Sequence, residues 1–518
     1  MEFGVAASKI FMSLVVGVLG LFWHLYIILV AKPSMIRRML KKQGIDGPKP
    51  MFLLGNILEL KKMKDAVVKH SDSTDPPVSH NCGALLLPFF DKWKQQYGDM
   101  FRIALGNTQI LLVNRYDVLK EITTCTSLDF GKPSYLAKDR GAILGNGIIT
   151  SNGQYWAHQR KIIAPQLYMD KVKDMCSLVN DCVKTLFESW NDIIMSNGGI
   201  VSDIEIDPHM RSFSGDVISR ACFGSNFLQG EEIFSKLREL VELSSNKAFS
   251  FGIPGMRHIP TKNNRKLWAL EKGIYELISG VVNQRAEAEV GYTKDLLQML
   301  LEEGQNSELP KDEIEQFIVT NCKNIYLAGY ETTAVSATWT LMLLATNQEW
   351  QDRVRAEAIK VCQGQPPDIV AVNRMKVLTM VINESLRLYP PVVVMSREAL
   401  KDMKFKDIDV PKGVNVWAVV TSLHTDPENW GEDSYKFNPS RFANGVTGAC
   451  KLPHLYMPFG VGPRICLGQN LALVELKILI SQILSNYSLS LSPKYVHAPS
   501  LSLVIKPGKG MNLLVRKL

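Results

Sequence analysis

The pattern of apolar and polar positions separates a short N-terminal segment from a much longer region. Residues 10–31 form an apolar run without a charged side chain, which is long enough to cross a bilayer as a helix. Basic residues follow at once, at Lys32, Arg37, Arg38, Lys41, Lys42 and Lys49. By the positive-inside rule, this arrangement places residues 32 onward in the cytosol.

Three regions follow from this pattern. We expect residues 1–31 to be a membrane anchor, residues 32–50 to be a basic, proline-rich hinge, and residues 51–518 to be one cytosolic domain. A cleaved signal peptide would have a shorter apolar core and a small-residue exit, so we favour a retained anchor. A buried helix of a soluble protein is the alternative interpretation.

Helical periodicity dominates the long region. A proline-free stretch from Lys311 to Asn347 starts with acidic residues and is apolar on most faces, which predicts a long buried helix. A second helix is expected to end at Tyr389-Pro390, and a third to begin after residue 468. The apolar residues at 109–113 predict a strand. The periodicity therefore indicates a mainly helical protein with some strands.

Composition and charge narrow the function classes a little. The net charge is +8, and 46% of the residues are hydrophobic, as in a globular protein with a large core. The basic run lacks interleaved aromatic residues and follows an apolar segment, so we expect no nucleic-acid partner. The nine cysteines include no C-x-x-C pair, which argues against a zinc site, and eight of them read as reduced thiols.

The remaining cysteine stands in the decapeptide FGVGPRICLG, which runs from Phe459 to Gly468. Its glycines let backbone amides approach the Cys466 sulfur and a flat macrocycle, and Arg464 can reach a haem propionate. A helix that begins after Gly468 would favour the thiolate through its N-terminal dipole. The pattern F-x-x-G-x-R-x-C-x-G predicts a haem-thiolate ligand. An inert buried cysteine is the alternative.

The predicted long helix contains the hexapeptide AGYETT, residues 328–333. A glycine beside an acid and two threonines is a poor choice for a buried helix, and such broken rules often mark a site. Next to Ala328, Gly329 would let a flat ligand approach, while Glu331 and Thr332 could hold a water and transfer protons. A packing glycine with ordinary helix hydroxyls is the alternative.

Glu384 and Arg387 form an i, i+3 pair surrounded by apolar residues. A buried pair needs further partners, and Arg441 in the sequence FNPSRF, residues 437–442, can supply a third member. We predict that this network braces the haem loop without taking part in the chemistry. A surface pair worth about a few tenths of a kcal/mol is the alternative.

Trp156 and Arg160 lie four residues apart, so an indole N–H and a guanidinium share one helix face. Both groups donate to carboxylates and would clamp a haem propionate. A surface arginine stacked on a tryptophan is the alternative. His424 is predicted to be a structural hydrogen bonder and not a ligand.

In order and spacing these motifs resemble those of the cytochromes P-450, the haem-thiolate monooxygenases, over the region from Gly47 to Leu518. The resemblance implies a mainly α fold with small β-sheets and haem b with Cys466 as the axial iron ligand. It adds Arg397 as a propionate partner. Ser440 departs from the glutamate often seen before the arginine at position 441. The implied haem contacts are Trp156, Arg160, Ala328, Gly329, Arg397, Phe459, Arg464, Cys466 and Gly468.

The same resemblance implies the reaction and its partners. Members of the family use O₂ and two electrons to hydroxylate a C–H bond, and Thr332 and Glu331 would manage the protons. NADPH electrons would come from a separate NADPH–cytochrome reductase, with the catalytic domain on the cytosolic side of the endoplasmic reticulum membrane. A haem-thiolate isomerase or dehydratase that does not use O₂, and a membrane haem sensor, are the alternatives. The Glu331-Thr332 pair argues against both.

Residues 143–153 and 321–329 resemble a plant microsomal subgroup that oxidises gibberellins and ent-kaurenoic-type acids, with relatives that oxidise pentacyclic triterpenoid acids. Such substrates are rigid, polycyclic and apolar, and they often carry one carboxylate. Lys132, Lys138 or Arg140 could pair with that carboxylate, because residues 128–149 resemble the loop over the distal haem face. A solvated loop charge is the alternative for each of them.

Overall fold

The protein was analysed as a computed structural model that describes residues 2–71, 80–224, 227–245, 255–287, 295–306 and 310–518. Helices dominate these residues, and their strands form four small sheets, which confirms the predicted fold class. The helices α1 to α23 are Glu2–Tyr26, Lys32–Lys42, Ile57–Ser71, Cys82–Leu86, Pro88–Tyr97, Tyr116–Thr124, Ser134–Lys138, Gly141–Leu144, Gly153–Ile163, Met169–Val172, Cys176–Ser196, Ile206–Phe223, Phe227–Ser245, Lys262–Glu287, Leu296–Gln305, Lys311–Thr346, Gln348–Cys362, Ile369–Arg374, Lys376–Leu388, Val420–Thr425, Pro427–Trp430, Gly445–Ala449 and Gln469–Asn486. The strands β1 to β12 are Met100–Leu105, Thr108–Val113, Phe130–Gly131, Val201–Glu205, Val394–Ala399, Met403–Phe405, Ile408–Val410, Asn415–Val419, Tyr487–Leu491, Pro499–Leu501, Ile505–Pro507 and Asn512–Lys517.

The N-terminal helix continues beyond the apolar run. Between α1 and α2 the chain forms a π-helical turn over Ile27–Ala31, in which the Lys32 N–H donates to the Ile27 carbonyl five residues back. Pro33 follows directly and has no N–H to give, so the hydrogen-bond ladder changes register there. Residues Lys9–Lys42 thus form one helix that is long and apolar enough to cross a membrane, and its most apolar window is unburied.

Helix α2 occupies the first part of the predicted hinge. Its Ile36 and Leu40 are buried in a small apolar cluster against the largest sheet, where Leu111 and Val416 also lie. Helix α2 ends at Lys42, a turn follows over residues 43–44, and residues 45–50 contain neither helix nor strand. The domain boundaries at residues 31 and 50 stay predictions.

Helix α16 is the centre of the larger apolar cluster. It spans Lys311–Thr346, against a predicted Lys311 to Asn347, and nearly every side chain from Ile318 to Ala345 is buried. A helix that is apolar on all faces must be covered on all faces, and α12, α19 and α23 pack against it. This arrangement holds the AGYETT segment deep inside the molecule.

The five-stranded sheet has the order β1-β2-β8-β5-β3. The predicted strand at 109–113 is β2, which pairs in parallel with β8 through Leu111 and Val416. Strand β5 lies antiparallel to β8 and pairs Arg397 with Val416. The sheet therefore carries Arg397 to the wall of the interior cavity described next.

Candidate active site

A cavity of about 360 Å³ opens in front of Cys466, with mostly apolar walls. Helices α9, α16 and α23, strand β5 and the loop before α23 contribute its lining. Every haem contact predicted from the sequence lines this cavity, namely Trp156, Arg160, Ala328, Gly329, Arg397, Phe459, Arg464, Cys466 and Gly468. The structure thus brings together residues that are separated by more than 300 positions in the chain.

The loop that carries Cys466 has a shape that depends on glycine. The Cys466 N–H donates to the Phe459 carbonyl at 2.9 Å, which closes the loop on itself. Gly460 and Gly462 adopt φ angles of +71° and +67°, which disfavour other residues. A Cβ atom on Gly462 would also lie 2.8 Å from the Thr123 carbonyl oxygen. These constraints fix the direction of the thiol.

Opposing effects act on the Cys466 thiol. Burial raises its pKa, whereas hydrogen bonding from the Gly468 amide, the charge of Arg160, the Gln469 amide and the charge of Lys132 each lower it in part. The side chain is exposed only towards the interior cavity. Amide donors and cations directed at the sulfur are the setting in which a thiolate binds a metal.

Arg464 is held by the chain segment before α9. It donates from Nη1 to the Ser151 carbonyl at 2.8 Å and from Nη2 to Asn152 Oδ1 at 2.9 Å. Its guanidinium carbon lies 3.9 Å from the ring centre of Trp156, as in a stacked cation–π contact. Arg464 is therefore held at the cavity. None of these contacts is with a carboxylate, so they leave its positive charge unbalanced.

Two further arginines face the same cavity. Arg160 donates to the Ile465 carbonyl at 3.0 Å and lies 5.6 Å from the Trp156 ring centre. Arg397 is buried in β5 and donates to the carbonyl of its neighbour Ser396. Each of these hydrogen bonds goes to a neutral carbonyl, so the charges of both arginines are available to an anionic ligand.

Burial lowers the pKa values of these cations, and for Lys132 and Arg464 the neighbouring positive charges add to the decrease. Burial, with Arg397 and Arg464 nearby, lowers the pKa of Lys132 to about 7. Burial, with Arg397 and Arg160 nearby, lowers that of Arg464 to about 9, and burial lowers that of Arg397 to about 10. Four cations that share a wall without fixed carboxylates fit a ligand with two carboxylates of its own, and haem is such a ligand.

One carboxyl group does belong to the cavity lining in the described part of the chain. Glu475 of α23 is almost fully buried, and burial raises its pKa to about 8, although a hydrogen bond with Thr333 opposes the rise. Near neutral pH this group is largely protonated, so it does not cancel the positive wall. Sequence analysis missed Glu475, although a lone acid in the apolar run LALVEL is a detectable signal.

The AGYETT segment passes the cavity on one face only. Thr332 lines the cavity and donates from Oγ1 to the Ala328 carbonyl at 2.7 Å. Gly329 also lines it, but a Cβ atom there would lie 2.5 Å from Ile218 Cγ1 of α12. Gly329 therefore allows close helix packing in addition to access for a ligand, and the packing interpretation applies as well.

Glu331 lies away from the cavity wall. Its Oε2 accepts from Arg211 Nη1 at 2.6 Å, and Arg211 donates from Nε to Asp207 at 2.9 Å, all in a buried setting. Successive helical residues point about 100° apart, and here Thr332 faces the cavity while Glu331 faces Arg211 of α12. The predicted catalytic role of Glu331 stays a prediction, and the structure does not bring it into the cavity.

The predicted network of Glu384, Arg387 and Arg441 is assembled in the core. Arg387 donates from Nε and Nη2 to the two oxygens of Glu384 at 2.7 and 2.8 Å, and neither side chain is exposed. Arg441 Nε lies 3.5 Å from Glu384, and its Nη2 lies 2.6 Å from Asp433. The Asn438 N–H adds a further hydrogen bond to Glu384 at 2.9 Å.

His424 connects this network with the chain that leads to the haem loop. Arg387 donates to the carbonyls of His424 and Ser434 at 2.8 and 2.6 Å. The Nε2 atom of His424 accepts from the Met457 N–H at 2.9 Å, and its Nδ1 faces the Arg387 carbonyl. Burial and the nearby Arg387 lower the pKa of His424 to about 3, so the ring is neutral and structural.

The geometry agrees with a comparison of sequences. The sequence profile of the family described as Cytochrome P450 matches residues 45–515. The chain belongs to the cytochrome P450 family. It is 47% identical to cytochrome P450 714C2 of Oryza sativa subsp. japonica over 503 residues, 96% of each chain. It is 43% identical to cytochrome P450 714B2 of the same plant, covering 98% of this chain and 97% of the relative, and 38% identical to cytochrome P450 714A2 of Arabidopsis thaliana, covering 98% of each.

Membership of this family confirms several predictions at a coarse level. The chain is a plant-type cytochrome P450 monooxygenase that holds haem through a cysteine thiolate and receives electrons from a redox partner. It uses O₂ and a hydrophobic substrate. Its N-terminal helix is suited to anchor it in a membrane.

The three loop cations considered for a substrate carboxylate are separated by the fold. Lys132 lines the cavity, whereas Lys138 is exposed and Arg140 does not reach the lining. Sequence spacing could not distinguish them, because the short helix α7 carries the chain away from Lys132 before it reaches Lys138 and Arg140. Arg211, the partner of Glu331, was missed for a similar reason, since it comes from the distant helix α12.

Proposed function

We propose that this cytochrome P450 hydroxylates a polycyclic terpenoid acid. The substrate would be a diterpenoid acid of the gibberellin or ent-kaurenoic type, or a pentacyclic triterpenoid acid. The observation that carries the proposal is the mostly apolar cavity at Cys466 with four cations on one wall. A haem carries two propionates, so positive charge remains for the carboxylate of a substrate.

The bound haem would supply the activation of O₂ and the transfer of one oxygen atom to a C–H bond. Cys466 would hold the iron, and Trp156, Arg160, Arg397 and Arg464 would hold the propionates. The apolar walls would orient the terpenoid skeleton and exclude water from the reacting carbon. Lys132 would pair with the substrate carboxylate.

Thr332 is proposed to hold and pass a proton at its Oγ1. Thr332 and Thr333 both line the cavity with Ala328 and Gly329, but Thr333 hydrogen-bonds with Glu475, which leaves Thr332 as the candidate. Its present hydrogen bond to the Ala328 carbonyl would have to open for that transfer. Glu331 would contribute only after its ion pair with Arg211 opens.

The protein is proposed to be a single-pass protein of the endoplasmic reticulum membrane with its catalytic domain in the cytosol. The unburied apolar helix and the basic residues that follow it support this orientation. Electrons would come from NADPH through a membrane-bound NADPH–cytochrome reductase. The net charge of +8 suits an acidic partner.

Microsomes that contain the protein and the reductase test the proposal. Gibberellins, ent-kaurenoic acid, and oleanolic and ursolic acids would be supplied with NADPH, and products read by mass spectrometry. We expect a product one oxygen heavier from at least one acid, and weaker turnover of its methyl ester because Lys132 then lacks a partner.

Consumption of NADPH and O₂ separates the proposal from the alternatives. An isomerase, a dehydratase or a haem sensor would consume neither in proportion to product. Oxygenation of neutral hydrocarbons in preference to all the acids would refute the assignment of the substrate class.

A further inference from the structure

Three polar side chains of α16 contact α8 and the chain segment that follows it. Asn321, Lys323 and Asn324 are all buried, within a helix that is otherwise apolar at this level. The segment they contact, residues 142–149, contributes Ile148 and Ile149 to the cavity wall. We define these three side chains as the α16 clamp.

The two asparagines bind backbone groups of the segment. Asn321 Oδ1 accepts from the Ile148 N–H at 2.9 Å, and Asn324 Oδ1 accepts from the Ile149 N–H at 3.1 Å. Asn324 also donates from Nδ2 to the Leu144 carbonyl at 2.7 Å. A buried amide without a partner costs about 1–3 kcal/mol, so these bonds hold the segment in one position.

Lys323 adds a fourth hydrogen bond, and its charged side chain is the most costly of the three to bury. Its Nζ donates to the Ala142 carbonyl at 3.1 Å, and burial lowers its pKa. A buried lysine is unfavourable unless its position is needed. Here it binds a carbonyl of α8, which otherwise has few partners because the helix is only four residues long.

Two glycines let the segment approach the clamp. Gly145 has a φ of +59°, and a Cβ atom there would lie 2.8 Å from Thr320 Cγ2. A Cβ atom on Gly147 would lie 2.8 Å from Asn324 Oδ1. The glycines of Gly145-Asn146-Gly147 therefore leave room for the side chains of α16. This close approach sets how far Ile148 and Ile149 extend into the cavity.

We propose that the α16 clamp positions the wall formed by Ile148 and Ile149 and thereby sets which carbon of the substrate is oxidised. Asn321 and Lys323 do not line the cavity, so they act only through the segment as positioning residues. The proposal rests on the monooxygenase activity of the family and is independent of the terpenoid assignment.

Asn321→Leu is the principal test variant. It removes the acceptor for the Ile148 N–H, keeps the number and branching of the side-chain heavy atoms, and changes no residue of the cavity lining. The control is Thr338→Val, which removes a buried hydroxyl of the same helix that binds only the Ala334 carbonyl within α16. Both variants would be purified with haem in the full-length chain.

Two measurements need no knowledge of the substrate. Hydrogen exchange read by mass spectrometry reports the amides of residues 141–151. Spectral titration reports the affinities for imidazole and for the larger 4-phenylimidazole. For Asn321→Leu we expect exchange at least tenfold faster in that segment, and a ratio of the two affinities changed at least fivefold, with imidazole affinity within twofold of wild type.

The control variant should leave both readouts within twofold of wild type. Unchanged exchange in Asn321→Leu would overturn the clamp itself. Faster exchange with an unchanged affinity ratio would show that the segment is held but does not shape the cavity, and would overturn the positioning role. If Asn321→Leu does not retain haem, Lys323→Met provides the same two readouts and is judged by the same outcomes.

Once a substrate is known, the ratio of hydroxylated products completes the test. The clamp predicts a changed ratio of positional isomers in Asn321→Leu, with the ratio preserved in Thr338→Val. A wrong substrate class would leave the exchange and azole results intact, so the two proposals fail independently.

Discussion

The buried ion pair of Glu384 and Arg387 lets us predict how much stability a single substitution would remove. Both side chains are unexposed and joined by two hydrogen bonds, and Arg441 and the Asn438 amide also depend on Glu384. Glu384→Gln keeps the volume and removes the negative charge, which leaves a buried guanidinium without its counter-charge. Breaking a buried pair in this way costs about 3–5 kcal/mol.

That cost is large enough to measure. It corresponds to roughly a 150- to 5,000-fold change in an equilibrium constant. The urea dependence exceeds the ~3 kcal/mol per molar of small proteins because a larger chain exposes more surface, so the unfolding midpoint should fall by up to about 1.7 M. The assay is the urea titration of the haem-loaded protein, followed in parallel by the Soret band and by far-ultraviolet circular dichroism, since a cofactor protein need not unfold in two states.

A matched control comes from α17. Glu349 and Arg353 also form an ion pair along one helix, at 3.7 Å, but both are exposed. Glu349→Gln should cost under ~0.5 kcal/mol and move the midpoint by less than about 0.2 M. If Glu384→Gln moved the midpoint no more than this control, the bracing role of the network would be refuted.

Three further substitutions test the cavity. Cys466→Ser should abolish the red-shifted band of the reduced carbon monoxide complex, and its persistence would remove Cys466 as the iron ligand. Thr332→Ala should uncouple the enzyme, so that more hydrogen peroxide and less product form per NADPH; unchanged coupling would exclude Thr332 from proton transfer. Glu475→Gln should flatten the pH dependence of stability. The pKa of Glu475 is raised from an ordinary value near 4.5 to about 8, so its protonated form stabilises the fold, and that contribution is complete below about pH 4.5 and lost as the pH rises to 8. The urea midpoint of wild type relative to Glu475→Gln should therefore fall between pH 5 and pH 8, and a constant difference would contradict the shifted pKa.

Local motifs carried most of the candidate site. Three motifs line the cavity: the residues around Cys466, the pair Trp156 and Arg160, and the pair Ala328 and Gly329. Each motif is a short segment, so its residues face the cavity together. Arg397 was found only through the resemblance, since a lone arginine in a strand has no pattern of its own.

The position of a side chain could not be predicted from the sequence where it depends on a partner that is distant in the chain. Thr332 and Glu331 are neighbours in the chain, yet one lines the cavity and the other binds Arg211 from α12. Similarly, the asparagines of the α16 clamp look like poor helix formers until the backbone of residues 144–149 is placed beside them. Tertiary contacts of this kind have no periodicity for a sequence to reveal.

The hinge over residues 32–50, inferred from the prolines at positions 48 and 50, stays a prediction, although within that stretch a proline near the start of a helix does not end it. Pro33 lies in the first turn of α2. It has no N–H to donate, and the hydrogen-bond pattern changes at this point from the π-helical turn to the α-helix. Gly47 lies later, where a Cβ atom would clash with the Arg102 carbonyl at 1.9 Å, so that point is closely packed against β1.

The unbroken path from α1 into α2 has a consequence for how the enzyme sits in the cell. Because Ile36 and Leu40 pack the end of this helical rod against the body of the protein, the body has a defined position relative to the apolar helix. Inserting one residue between them would swing the body by about 100° around the rod axis. The number of residues at that junction therefore sets which face of the apolar helix is turned towards the catalytic domain.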